Sequence, residues 1–175
     1  MKIEKFLQLY AAGERNFSGV ILAGINLRYV NLAGINLSGA ILAGADLRGA
    51  CLTKANLYKA NLSEANLTQA NLTDANLNDG ILTKADLQGA NLLRATLLRT
   101  ILSQANLGKV NLNYADLTGA NLSEANLYEA DLTKAIIAKT ILVAVTMPNG
   151  SSYQSKIWEY SANRPLKVVG AKPGL

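Results

Sequence analysis

Between Phe17 and Met147 an apolar residue returns at every fifth position without a break in frame, 27 times in all, and Leu holds that position at each of the 23 sites from Leu22 to Leu132. The residue two before it is usually Ala, as at Ala40, Ala45, Ala50 and from Ala55 to Ala75, and the residue one before it is Asn or Asp in 18 of the 27 repeats. With the central residue taken as position i, the unit is Ala at i−2, Asn or Asp at i−1, Leu at i, and two variable residues at i+1 and i+2. Five residues of α-helix turn through about 500°, so successive leucines would step about 140° around the axis and share no face. In a flat strand, side chains alternate with period two, and an odd spacing throws successive leucines to opposite sides. The pattern therefore predicts a chain that turns once per pentad. Each unit is then one short side of a prism, with Leu and the preceding Ala inside and the other three positions facing water.

This A-(N/D)-L-x-x pattern resembles that of the pentapeptide-repeat proteins over about three quarters of the chain. The resemblance implies an all-β fold, a right-handed quadrilateral β-helix in which four pentads make one square coil. It gives six to seven coils of 20 residues for residues 15–147, and at ~4.8 Å per coil a solenoid roughly 30 Å long. The charges support a period of 20 independently. At i+2, Lys54, Asp74 and Arg94 fall 20 apart, as do Lys59, Asp79 and Arg99, while Glu64 falls under Lys84 and Lys109 under Glu129. Signs alternate in every column, which makes sense only if residues 20 apart are stacked neighbours. The glycines Gly19, Gly24, Gly34, Gly39, Gly44 and Gly49 keep the same period and read as corner residues.

A stack of coils needs its ends covered. Ile3, Phe6, Leu7 and Tyr10 have helical spacing and end near Gly13, which predicts an amphipathic helical cap over residues 1–14. Pro148, Asn149 and Gly150 signal a turn where the repeat stops, and in the C-terminal cap and tail, 148–175, Tyr153, Ile157, Trp158 and Tyr160 are expected to form a lid. Residues 161–175, with Pro165, Pro173 and a balance of +3, read as loosely structured.

Composition then narrows the function. The chain of 175 residues has no His and one Cys, which removes His-based acid–base chemistry, His-containing metal sites and an internal disulfide. A prism filled with Leu and Ala offers no pocket, and Cys51, Ser63, Thr83 and Ser123 have no adjacent base. The expectation is a non-enzyme with no cofactor and no metal. No apolar run approaches the ~18 residues that cross a bilayer, and the N-terminus lacks a signal peptide's apolar stretch, so a cytoplasmic protein without membrane contact is expected. The net charge is +5, but residues 15–147 hold 11 basic and 9 acidic side chains, a balance of only +2 with both signs interleaved. No basic stripe follows, and nucleic acid is disfavoured as a partner.

Two features stand out from the repeat. Arg28 and Arg48 stack one coil apart near Tyr29 and form a candidate anion contact, with Asp46 close by. Where most repeats carry Asn or Asp, one column instead holds Ile21, Ile41, Ile81, Ile101 and Ile141, interrupted by Asn61 and Asn121, while Leu93 and Leu98 occupy outward positions nearby. Exposed apolar clusters mark association surfaces; stiffening of one wall by β-branched residues is the competing reading. The expectation is a rigid scaffold that presents Ile21, Ile41, Ile81, Ile101, Leu93 and Leu98 to a protein partner, a second copy or both. Some proteins of the resembling family are DNA mimics that bind DNA gyrase; that alternative requires a strongly acidic rod, which this near-neutral surface does not supply.

Overall fold

The structure is a computed structural model and describes residues 1–153. The helix α1 (Ile3–Ala11) leads into pentads whose i−1 residues pair in parallel with those 20 positions on, from Asn16 with Asn36 to Asn126 with Thr146. The fold is the right-handed quadrilateral β-helix expected from the repeat. At its end the strands β1 (Val145–Thr146) and β2 (Ser152–Tyr153) form a short antiparallel hairpin, closed by a bond from the Gly150 N–H to the Met147 carbonyl at 2.8 Å.

One pentad shows why the repeat needs its residue types. The Asn66 N–H donates to the Ala45 carbonyl of the coil before at 2.9 Å, and the Leu67 and Gln69 N–H groups donate to the Asp86 and Gln88 carbonyls of the coil after, at 2.6 and 3.0 Å. The Ala70 N–H closes the corner on the Leu67 carbonyl at 2.9 Å. Only the Thr68 N–H, at i+1, lacks a backbone partner, and the Asn66 side-chain oxygen accepts it at 3.0 Å. A buried or half-buried N–H must find an acceptor, and the Asn or Asp at i−1 supplies it as an Asx turn. Every Asn or Asp at i−1, from Asn16 to Asp131, makes this bond.

Those side chains therefore do more than face water, as the pattern alone had them. Most are half-buried, and on one wall the Asn56 amide donates to Asn36 at 3.1 Å and the Asn36 amide to Asn16 at 3.0 Å, forming a ladder along the rod. The corner requirement is also wider than the glycines indicate. The i+2 residue has positive φ in every pentad from Gly19 to Ala144, including non-glycine residues such as Lys54, Gln69 and Arg99 at 54–58°. With the corner bond from i+3 to i, this is the geometry of a type II turn. The intercoil bonds impose the left-handed conformation at each corner, and glycine is a convenience there.

Inside, the leucine columns are buried from Leu22 to Leu127 and Leu132 is partly so, and the i−2 alanines let opposite walls approach. Where a hydroxyl enters this core, it is satisfied: Thr100 Oγ1 donates to the Leu77 carbonyl at 2.9 Å and Thr140 Oγ1 to the Leu117 carbonyl at 3.0 Å. The first coil carries Val20, Ile25, Val30 and Ile35 in place of Ala, and α1 seats Phe6 against Phe17, ring centroids 4.7 Å apart. Tyr10 fixes the helix by donating its hydroxyl to the Ala33 carbonyl at 2.9 Å. At the other end Tyr153 packs against the core; Ile157, Trp158, Tyr160 and the tail 161–175 lie outside the described residues.

Candidate functional site

The isoleucine column runs along one wall of the rod. Ile21 pairs with Ile41, Ile41 with Asn61, Asn61 with Ile81, Ile81 with Ile101, Ile101 with Asn121 and Asn121 with Ile141, so the seven are successive rungs. Ile21 is 62% exposed, and Ile41, Ile81 and Ile101 are 37–39% exposed, while Ile141 is partly covered. Each Ile lacks the acceptor that Asn or Asp provides at this position. Among the described hydrogen bonds, the N–H groups of Ala23, Ala43, Thr83, Ser103 and Val143 accordingly have no protein partner. Elsewhere the outcome is mixed: Leu98 N–H, orphaned by Thr96, donates to Asn78 at 2.8 Å, but the Thr53 N–H beside Cys51 and the Ala138 N–H beside Ile136, on other walls, have no partner among the described hydrogen bonds.

The two leucines are placed differently. Leu98 and Arg99 form the corner that enters the isoleucine wall, so Leu98 adjoins Ile101; Leu93 and Arg94 form the preceding corner, with the wall of Asn76 and Thr96 between. Both leucines are half-buried. Ile21 stands apart as well, because it lines an apolar cavity of about 440 Å³ with Met1, Ile3, Leu22, Ala23, Ile25 and Asn26 beside the helical cap.

Charges line the corners of the rod, and the columns Lys59–Asp79–Arg99 and Glu64–Lys84 flank this wall. Arg99 grips Asp79 through two bonds of 2.7 and 2.8 Å, and Arg94 grips Asp74 through two of 2.7 and 2.9 Å. These fork-to-fork contacts hold the Asp74 and Asp79 carboxyls below the usual aspartate range, by hydrogen bonding first and charge second. Lys109 and Glu129 approach to 3.4 Å, whereas the stacked Lys54–Asp74, Lys59–Asp79 and Glu64–Lys84 do not close as ion pairs.

Arg28 and Arg48 are not a bare cationic pair. Arg48 Nε donates to Asp46 Oδ1 at 2.9 Å and its Nη2 to Oδ2, while Arg28 Nε stands 3.9 Å from the same carboxylate. The Asp46 carboxyl is held low chiefly by the Arg48 hydrogen bonds, so it stays ionised and occupies the place an incoming anion would take. Tyr29 completes this corner by lying on Gly49; a Cβ there would meet the ring at 2.4 Å. Sequence spacing placed Arg28 and Arg48 together but did not reveal that Asp46, two residues from Arg48, had already engaged it. Among the described residues no group of three or more His, Cys, Asp or Glu could hold a metal ion, and no helix is long and apolar enough to cross a membrane.

Comparison with solved structures finds HetL, a pentapeptide repeat protein involved in heterocyst differentiation regulation from the cyanobacterium Nostoc sp. strain PCC 7120. It is 29% identical, covering 87% of this chain and all of that one, with a TM-score of 0.45. Rfr23, a pentapeptide repeat protein from the cyanobacterium Cyanothece 51142, is also 29% identical, over 77% of this chain and 99% of its own, with a TM-score of 0.32. QnrB1 in a trypsin-treated form, a plasmid-mediated fluoroquinolone resistance protein, is 18% identical over 75% of this chain and 78% of its own, at a TM-score of 0.38. None of the curated protein sequences matches significantly. The model of pentapeptide repeats matches in 8 copies, over residues 16–58, 55–93 and 100–137, and the chain belongs to the pentapeptide-repeat proteins.

Proposed function

We propose that the protein is a non-enzymatic, cytoplasmic scaffold whose working surface is the isoleucine wall, offered to a protein partner. One observation carries this reading: five of seven rungs of a single wall give up the Asx bond that every Asn and Asp at the same position makes, leave N–H groups without a protein acceptor and gain apolar surface in return, whereas such losses on the other walls, at Cys51 and Ile136, are single. Each lost side-chain bond forgoes about 0.5–1.5 kcal/mol. A residue chosen only to stabilise its own coil would be Asn. A continuous apolar strip gains its stabilisation when another surface covers it. Stacked coils suit that use because they fix side chains at regular intervals without any cavity.

The proposed units are the cap of residues 1–14, the repeat of 15–147 and the C-terminal cap and tail of 148–175. The test is affinity capture with the wild type and with Ile81→Asn/Ile101→Asn, which restores the residue usual at both rungs. Proteins retained by the wild type and lost by the variant are expected; identical retained sets would overturn the reading. The near balance of 11 basic and 9 acidic residues in 15–147 does not make an acidic, DNA-like surface. Gyrase supercoiling is expected to proceed unchanged in the presence of the protein.

A further inference from the structure

Resting on that reading, we infer that the partner on the isoleucine wall is a second copy of this chain, docked wall to wall with the two rods parallel and in register. In this arrangement a two-fold axis runs along the rods between them. Each rung then meets itself: Ile41 on Ile41, Ile81 on Ile81, Ile101 on Ile101, Ile141 on Ile141.

The two interrupting rungs fit the same pairing. On other walls the asparagine amides donate along the ladder, as Asn56 does to Asn36. Asn61 and Asn121 have isoleucine above and below, and among the described bonds their amide nitrogens donate to nothing, while their oxygens accept the Ser63 and Ser123 N–H groups at 3.0 Å. Facing its own copy, the Asn61 amide finds an acceptor with a lone pair to spare, whereas the Asn121 oxygen also accepts the Ser123 hydroxyl at 2.7 Å, which must turn away to free one.

The corner charges decide the direction. The corner entering the wall carries Lys59, Asp79 and Arg99 at the levels of Asn61, Ile81 and Ile101; the corner leaving it carries Glu64, Lys84 and Gln104 at the same levels. A two-fold axis along the rods brings entering corner against leaving corner at equal height. Lys59 then meets the second copy's Glu64, and Asp79 meets the second copy's Lys84, each contact occurring twice, with no like charges opposed. Among the described residues Lys59, Glu64 and Lys84 form no ion pair within their own chain, so they are available, whereas Asp79 already holds Arg99 through both oxygens and takes Lys84 as a second cation. An antiparallel pairing centred between Ile81 and Ile101 would also oppose isoleucine to isoleucine, but it sets Glu64 against Glu124, and the Asp79 and Arg99 it brings together are already paired within each chain. Charge complementarity of this kind fixes register and direction.

The contact strip is narrow. From Ile41 to Ile141 it is about 24 Å long at ~4.8 Å per rung, and it buries about 1,000 Å² or less in total, below the size of a standard interface. The dimer is therefore concentration-dependent.

Cysteine cross-linking of the full chain tests this directly. In a Cys51→Ser background, Asn61→Cys alone, and separately Asn121→Cys alone, are expected to run predominantly as disulfide-linked dimers after mild oxidation, because each residue faces itself. Asn71→Cys, on the opposite wall, is expected to stay monomeric. Adding Ile81→Asn/Ile101→Asn to Asn61→Cys should abolish the cross-link. Cross-linking that appears only when Asn61→Cys and Asn121→Cys are combined would overturn the parallel register, since a parallel pair needs only one of them. A monomer by light scattering at every concentration would overturn self-pairing altogether; capture of a foreign protein lost in Ile81→Asn/Ile101→Asn would then leave the scaffold reading standing.

Discussion

Replacing Asp116 with Ala isolates the bond on which the whole repeat depends. One oxygen of Asp116 accepts the Thr118 N–H at 2.9 Å and the Thr118 hydroxyl at 2.6 Å, in a half-buried site. Its stacked neighbours are Thr96 and Ile136, neither charged, so removing the carboxylate disturbs no charge ladder. Each lost hydrogen bond costs about 0.5–1.5 kcal/mol. Water reaches part of the site and lowers the sum, so Asp116→Ala is expected to destabilise by about 1–2 kcal/mol. For a chain of this length that corresponds to a fall in Tm of about 3–6 °C. Asp116→Asn keeps the acceptor and supplies the residue most pentads use, and it is expected to melt within about 1 °C of the wild type, the effect being near-neutral on stability. Thermal unfolding followed by circular dichroism reads both variants. An unchanged Tm for Asp116→Ala would refute the role assigned to the i−1 side chain. Equal losses in both variants would show that charge, not the Asx bond, is what counts.

Three further outcomes follow from the same geometry. Leu72→Ala, in a fully buried column, is expected to cost about 2.7–5 kcal/mol, read from the same melting curves. Gly49→Ala should lower Tm, because its Cβ would strike the Tyr29 ring and φ there is +62°; Tyr29→Ala in the same chain should recover the steric part and leave only the backbone strain. The depressed Asp74 and Asp79 carboxyls contribute stability that is complete above their ordinary pKa of ~3.9 and is lost as pH falls through the lower folded-state values, so Tm should drop on acidification, and drop less in Arg94→Gln/Arg99→Gln.

The fold was legible because period five admits few solutions: Leu22 to Leu132 can share an interior only if the chain turns at every pentad, and the alternating signs of Asp74, Arg94, Asp79 and Arg99 disclosed which residues stack. The role of the i−1 residue was not legible from polarity. Asn66 reads as a solvated side chain until the bonds at Leu67, Gln69 and Ala70 are counted and Thr68 is left as the one unanswered donor. Its signal was present in the unvarying step of two from acceptor to donor. The corner conformation was half visible, since Gly19 and Gly24 marked it, but Lys54 and Arg99 adopt the same left-handed φ under tertiary constraint. For the candidate surface, spacing of 20 correctly stacked Ile81 on Ile101. It did not separate Leu93 from Leu98 by a corner, nor Ile21 into the groove beside Met1 and Ile3, because both depend on where the chain turns and on how the helical cap sits.

The central claim is that the isoleucine wall is an association surface. Its most direct test is solution mass by light scattering over a concentration series at two salt concentrations, for the wild type and for Ile81→Asn/Ile101→Asn. The account predicts a wild-type mass that rises toward that of a dimer with concentration and persists in high salt. It predicts a variant that stays monomeric and melts no lower, because the new amides offer acceptors to the Thr83 and Ser103 N–H groups. Equal masses for the two proteins at every concentration, with equal melting temperatures, would contradict self-association, and together with identical sets of captured proteins would leave the isoleucines as wall structure alone.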